Sequence, residues 1–349
     1  MRYHDVMQSN EQALPVAVVG VGRMGRHHAR TYHQLNSTQL LAVVDFDLSR
    51  AESLAKEYHC QAFASVEDLL ANHPQLQAAT VAVPTQHHSA AAMPLMDTGV
   101  SCLIEKPIAG SSEEAKALTE HAERCGCVLQ VGHTERFNPA VRALSTMKLK
   151  PRFIEVARLS PMTFRSLDVG VVMDMMIHDL DIVISLVNRP LVDVQAVGAT
   201  LLGEHEDVCD ARLTFEGGCV VTMKGSRMAT GTERWMRFFA DEAYVTLDYG
   251  SREGAVLRLS DHAEKLAELR GRLANGEDLS DVSYVDLLKP APLSIDLPTD
   301  EQDQLTAQAK AFVHAIRTGT SPVVTAAHGG AAVEAAERIV AAMQQTHSR

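Results

Sequence analysis

Two hydrophobic rhythms divide the chain. As far as residue 133, compact apolar runs alternate with segments whose apolar positions fall three and four residues apart. The runs at Pro15–Val19, Leu40–Val44, Ala79–Pro84, Ser101–Glu105 and Val128–Val131 predict strands buried on both faces. Between them, Leu48–Tyr58, a short piece from Val66 to Leu70, Ala90–Thr98 and Ser112–Cys125 carry helical spacing, the last with Ser111 or Ser112 as its cap. Strands alternating with helices predict an α/β doubly wound parallel sheet of the Rossmann kind. From residue 135 the texture changes: Phe153–Leu159, Asp193–Ala199, Asp210–Phe215, Cys219–Gly225, Trp235–Ala240 and Ala243–Asp248 are strand-like, mostly with turn signals between them. They predict a C-terminal α+β domain with a mostly antiparallel open sheet, crossed by a helix around Asp174. Residues 261–302 are charged and then proline-rich, a helix-like piece followed by a long connection to which no role is assigned. Gln304–Thr318 and Ala326–Gln345 predict terminal helices. The expected division is a dinucleotide-binding domain over 13–134 and a substrate-binding and oligomerisation domain over 135–349.

The first strand runs into Gly20-Val21-Gly22-Arg23-Met24-Gly25, and the second ends at Asp45. In this strand, turn, helix, strand context Gly20 makes the tight turn, Gly22 admits a pyrophosphate to the backbone, and Gly25 lets helix and strand pack closely. Arg23 and Met24 open the helix, whose unpaired N–H groups face the phosphates. Asp45 would accept hydrogen bonds from the adenosine ribose and repel a 2′-phosphate, which favours NAD; Arg50 keeps NADP open. His27 and His28 read as surface or packing residues rather than ligands.

A second constellation is Asp174-Met-Met-Ile-His178-Asp-Leu-Asp181, a carboxylate and an imidazole four residues apart in an otherwise apolar run. On a helix the two share a face, and a histidine paired with a carboxylate suits proton abstraction from an alcohol. A core histidine satisfied by Asp174 or Asp181 is the plainer alternative.

Composition narrows the field. The 349 residues are 46% hydrophobic and 22% charged, with a formal net charge of -12. That charge argues against a nucleic-acid partner, and no apolar run is long enough to span a membrane. Residues Met1 to Gln12 lack an apolar signal core, and six scattered cysteines read as reduced thiols, so a cytoplasmic protein without a zinc site is expected. The charge reverses locally: Arg136, Arg142, Lys148, Lys150, Arg152, Arg158 and Arg165 stand against Glu155 alone. This stretch reads either as a seat for an anionic substrate or as a solvated basic face.

Taken in order, the glycine turn, Pro84-Thr85 with His88, Glu105-Lys106-Pro107, Gly132-His133-Thr-Glu-Arg136-Phe-Asn138-Pro and Asp174-x-x-x-His178 resemble the glucose–fructose oxidoreductase / inositol dehydrogenase family of NAD(P)-dependent sugar and polyol dehydrogenases. The resemblance spans nearly the whole chain. Residues 151–181 look like the branch that oxidises C3 of UDP-N-acetylglucosamine ahead of transamination in lipid A precursor synthesis. Val169-Gly170-Val171-Val172 replaces the Gly-Gly run that many relatives carry. The resemblance implies Lys106 and His178 as catalytic groups, with Asp174 orienting the imidazole or binding a hydroxyl, and a Lys106–Pro107 bond that is cis. It implies Thr85 and His88 on the nicotinamide ribose side of NAD and Pro84, Glu105, Lys106 and Pro107 among the cofactor-binding residues, with Glu105 and Pro107 shaping the lysine's loop. Arg136 and Asn138 are expected at the sugar, Arg158 and Arg165 at the diphosphate, and His133 at cofactor, substrate or merely the strand end. A homo-oligomer and functional coupling to an aminotransferase are implied as well. Another sugar, a UDP-hexosaminuronate or an inositol remains an alternative substrate, and a dinucleotide-sensing regulator is the alternative outside enzymes.

Overall fold

The computed structural model describes residues 12–163, 169–283, 288–293, 297, 301 and 303–347. Its contacts divide the chain into two compact units, Met1–Phe137 with Pro298–Glu334, and Asn138–Leu297 with Ala335–Arg349.

The first unit is built on six strands: β1 (Leu14–Val19), β2 (Thr38–Val44), β3 (Gln61–Phe63), β4 (Ala78–Val81), β5 (Ser101–Glu105) and β6 (Leu129–Gly132). They lie parallel in the order β3-β2-β1-β4-β5-β6, with the order reversing at β1. The central strands are buried along their length, which is why they read as unbroken apolar runs and not as alternations. The crossovers are helices α1 (Arg23–Gln34), α2 (Leu48–Tyr58), α3 (Val66–Asn72), α4 (His88–Asp97) and α5 (Ser112–Cys125). Local chemistry sets their ends. Asp47, Ser65 and Ser111 cap α2, α3 and α5 by accepting from Arg50, Asp68 and Glu114 N–H groups, and Gly126 closes α5 in the left-handed conformation. Tyr32 anchors α1 on the sheet through a 2.7 Å hydrogen bond between its hydroxyl and that of Thr80. The three-residue β3 is short enough that its period was not visible in the sequence.

Residues from the C-terminal part of the chain complete this unit. Helix α9 (Gln304–Thr318) contributes Ala309, Phe312 and Val313 to the core formed by Leu14, Val16, Val18, Tyr32 and Val43. Gln130 of β6 bridges to Thr325, and its side-chain amide donates to the Gln308 carbonyl at 3.2 Å.

The second unit holds an eight-stranded sheet: β7 (Pro151–Leu159), β8 (Leu191–Ala199), β9 (Val208–Phe215), β10 (Val220–Ser226), β11 (Glu233–Ala240), β12 (Ala243–Asp248), β13 (Glu253–Arg258) and β14 (Ala291–Pro292). The order is β14-β13-β12-β11-β7-β10-β9-β8, antiparallel throughout except for the parallel pair β10 and β7. Alternating burial along β9 and β10 marks a sheet packed on one face. Helix α6 (Pro139–Ser145) precedes the sheet, α7 (Ile177–Val187) lies after β7, and α8 (Ala263–Ala274) follows β13. The last helix, α10 (Ala326–His347), begins in the first unit and ends in the second.

Candidate active site

The glycine turn is built as the spacing requires. Gly20 has φ +86°, and a Cβ there would stand 2.7 Å from the Ala82 carbonyl carbon. A Cβ on Gly25 would lie 1.8 Å from the Gly20 oxygen, so α1 reaches the turn only with glycine at that position. Gly22 is the N-cap of α1, and the space where its side chain would be is open. Unlike α2, α3 and α5, α1 has no side-chain cap, and like α2 it has no acidic residue in its first turn, so its leading N–H groups, those of Arg23 and Met24 among them, are left to an anion. Asp45 is buried at the end of β2, where Oδ2 accepts from Val21 N–H at 2.9 Å and Oδ1 from Asp47 N–H at 3.0 Å. Each oxygen keeps acceptor capacity for a hydroxyl. Arg50 lies 3.7 Å from Asp45 and 3.6 Å from Asp47, its charge set against two carboxylates. An uncapped helix end, an open glycine and a buried acid at the neighbouring strand fit a dinucleotide without a 2′-phosphate.

Lys106 follows β5, half-buried, and the Lys106–Pro107 peptide is cis. Beneath it, Glu105 is anchored by a partner that sequence reasoning had put aside. His28, only 1% exposed, makes a 2.6 Å hydrogen bond to Glu105 Oε1, and the Lys106 N–H donates to Oε2 at 3.3 Å. Burial pushes the Glu105 carboxyl up, but the His28 bond and the charges of His28 and Lys106 outweigh it and hold the group below its ordinary range. Gly132 passes so close that a Cβ would stand 3.0 Å from this carboxylate. Glu105 is thus a support under the lysine loop. The signal for its partner was available as an i, i+3 position from Gly25 on the sheet-facing side of α1.

Pro84 is exposed and Thr85 half-buried at the short 3₁₀ turn Thr85–His87. His88 is not held toward open space: it is buried with Nε2 3.0 Å from the Val83 carbonyl and Nδ1 3.2 Å from that of Ile108, tying two strand-end loops together. Burial lowers its pKa against the pull of those carbonyls. His133 is fully buried beyond β6, and Arg136 is half-buried in the 3₁₀ turn Thr134–Phe137.

Several expected substrate contacts in the second unit have internal work instead. Asn138 caps α6: Oδ1 accepts from Ala140 N–H at 3.1 Å and Nδ2 donates to the Tyr249 carbonyl at 3.2 Å, with the residue fully buried. Arg158, expected at a diphosphate, is 5% exposed and donates twice to Asp179, at 2.5 and 2.9 Å, under the Tyr249 ring. Its fork holds a buried carboxylate of α7, which corrects that assignment. The basic stretch is dispersed in the same way, with Arg152 facing Asp241 at 3.5 Å and Arg158 inside. Arg165 lies outside the described residues.

Asp174 and His178 are both half-buried, but the backbone carrying them is not one regular helix. Val172–Met176 form a π-turn, in which the Ile177 N–H reaches Val172, and α7 starts only at Ile177. Glu206 caps this turn, its Oε1 accepting from Val172 N–H at 3.1 Å and its carbonyl from Val171 N–H at 2.9 Å. Asp207 is locked by Arg227 at 2.7 Å and by the N–H groups of Leu201 and Leu202 at 2.7 and 2.9 Å, so the loop bearing Glu206 is itself braced.

The family profile described as the oxidoreductase family with an NAD-binding Rossmann fold matches residues 14–133, and the GFO/IDH/MocA C-terminal domain profile matches residues 151–251. The chain belongs to this oxidoreductase family. Its cofactor is NAD, and the expected fold class and family resemblance stand. Among its relatives, UDP-N-acetylglucosamine 3-dehydrogenase of Acidithiobacillus ferrooxidans is 40% identical over 233 residues, covering 66% of this chain and 73% of that one. A solved structure of that enzyme superposes with a TM-score of 0.82 at 31% identity, over 95% of this chain and 98% of that chain. The NAD-dependent scyllo-inositol 2-dehydrogenase of Bacillus subtilis is 28% identical over 62% of this chain and 68% of its own length.

Proposed function

We propose that this oxidoreductase converts UDP-N-acetylglucosamine to its 3-keto form. The 40% identity to the Acidithiobacillus ferrooxidans enzyme carries the substrate assignment. When bound, NAD accepts the hydride from the sugar carbon. In this reading the first turn of α1 holds the pyrophosphate, and Asp45 takes the adenosine ribose hydroxyls. Pro84, Thr85 and Pro107 line the nicotinamide end, and His88 holds that wall in place. Lys106, steadied by Glu105, offers its ammonium to the reacting oxygen and stabilises negative charge as the hydroxyl proton leaves. His178 takes that proton, and Asp174 orients the imidazole or binds a neighbouring hydroxyl. Arg136 and His133 remain the candidates for the sugar.

The proposal extends to setting. The 3-keto product is an electrophile that an aminotransferase would consume, which is the place of such a step in lipid A precursor synthesis, in the cytoplasm. A homo-oligomer assembled through the open sheet is part of the reading, supported by Val192, Val197 and Phe239 standing 55%, 53% and 45% exposed on its strands. A free polyol substrate is the second reading, favoured by the loss of Arg158 as a diphosphate ligand to Asp179.

The test is NADH formation by the purified protein with UDP-N-acetylglucosamine, UDP-glucuronate, myo-inositol and glucose, alongside thermal stabilisation by each with NAD. Turnover with UDP-N-acetylglucosamine, and at least a thousandfold less with Lys106→Met while NAD still binds, is the expected result (~4 kcal/mol in the barrier). Turnover of myo-inositol with none of any uridine nucleotide would replace the substrate and leave the chemistry.

A further inference from the structure

A second cluster of ligand-type side chains lies far along the sheet from the strand ends that carry Glu105 and Gly132. Helix α4 ends at Asp97 and feeds β5 at Ser101, and α5 ends at Cys125 and feeds β6 at Leu129. Both helix ends therefore sit at the amino edge of the parallel strands, opposite the carboxyl edge where Lys106 emerges. There Asp97, His121 and Cys125 converge, with a carboxylate oxygen, an imidazole nitrogen and a thiol sulfur all within 4.8 Å of one another.

The geometry points to a binding site for a divalent transition-metal ion of the zinc class. His121 and Cys125 are four apart on α5, one above the other on the same helical face, and Asp97 completes the triangle from α4. The separations are 2.9 Å from His121 Nε2 to Asp97 Oδ1 and 3.9 Å from Cys125 Sγ to the same oxygen. Atoms bound to one zinc at about 2.0 to 2.3 Å lie roughly 3.3 to 3.7 Å apart in a tetrahedron, so the sulfur need only draw in slightly and the nitrogen and oxygen part slightly around a shared centre. Although His121 Nε2 stands at ion-pair distance from Asp97, their directions make no hydrogen bond, and that buried nitrogen has no hydrogen-bond partner among the described residues. A nitrogen, an oxygen and a sulfur donor together suit zinc or cobalt and are poor ligands for magnesium or calcium.

Binding rearranges two protons. The Cys125 thiol gives its proton to solvent and bonds as thiolate. Arg124 Nη2 now donates to His121 Nδ1 at 3.2 Å, which leaves the neutral ring protonated at Nε2. The exposed Arg124 swings away, Nδ1 takes the ring proton, and Nε2 offers its lone pair to the metal. Water fills the fourth position. The ion would staple α4 to α5 at the rear of the dinucleotide-binding unit, acting on stability and not on hydride transfer. Sequence reading for paired cysteine spacings expected no metal, since Asp97 joins the other two only through the packing of neighbouring crossovers.

Full-length protein stripped with chelator and titrated with Co²⁺ should develop a thiolate-to-cobalt charge-transfer band that saturates at one equivalent. Zn²⁺ should bleach it and raise the melting temperature. Cys125→Ser and His121→Ala should keep the chelated protein's melting temperature while losing both the band and the zinc-induced rise. A wild-type protein with no band under excess cobalt, or a band of equal size in Cys125→Ser, would overturn the assignment. Neither result bears on NADH formation, so the metal site and the proposed dehydrogenase fail separately.

Discussion

Glu105 shows how much of this site depends on residues beneath it. Its carboxylate bonds to His28 and to the Lys106 N–H and fills the space that a side chain at Gly132 would need, so one buried charge links α1 to the lysine loop beside the end of β6. Because its folded pKa is depressed, the folded state binds the proton less readily than the unfolded chain does. Stability from this group is therefore fully present above the ordinary carboxyl value and is lost as pH falls through the folded value. Glu105→Gln should destabilise the protein by about 1–3 kcal/mol at pH 7, and the gap to wild type should shrink below about pH 4. Urea midpoints at both pH values check this, and a gap that stays constant would mean that the carboxyl titrates alike in the folded and unfolded chain. The sequence displayed both partners, but their separation along the chain concealed the pair. A histidine on the first helix reads as packing until β5 is known to lie beside it.

At the scale of elements, the regular pieces were legible and the irregular ones were not. The helices Leu48–Tyr58 and Ser112–Cys125 were readable to the residue because each combines apolar spacing with a cap or a left-handed end. The π-turn before α7 has no such signature, for it is imposed by what surrounds it. Glu206 pins the N–H groups of Val171 and Val172 from outside, and β10 yields room from below. A Cβ on Gly225 would stand 2.5 Å from Met176 Cγ, so a side chain there would have to push Met176 aside for the turn bearing Asp174 to settle on the sheet. Gly225→Val should cost about 1–3 kcal/mol through overpacking. If the turn positions Asp174 and His178 for chemistry, kcat should fall by tenfold or more with little change in the affinity for NAD, as read by NADH fluorescence titration. A variant that loses stability but keeps its kcat would separate the turn from catalysis. The same limit applies to Arg158 and Asn138. Both look like ligands in sequence, since nothing local reveals that Asp179 and the Tyr249 carbonyl wait for them inside the fold.

For the whole molecule, the order of elements along the chain differs from their membership of the two units. The change from buried runs to alternating strands near residue 135 was visible because parallel and antiparallel sheets hide different faces. The return was not, since the amphipathic pattern of α9 says that one face is buried but not against which sheet. In the structure that face meets Leu14, Val16 and Tyr32, so the dinucleotide-binding unit is incomplete without residues that lie beyond the whole antiparallel sheet in the chain. Phe312 is fully buried at this contact. Phe312→Ala removes a large apolar side chain and leaves a cavity, a loss of about 3–5 kcal/mol. The damage should fall on the first unit: NAD should protect the variant against thermal unfolding only at higher concentration, because part of its binding energy now refolds the site. Proteolysis followed by mass spectrometry would locate the damage. Early cleavage within residues 14–133 is expected, with residues 151–251 still resistant. Early cleavage of the antiparallel sheet instead would mean that α9 stabilises the second unit and that the chain's return to the first carries no energetic weight.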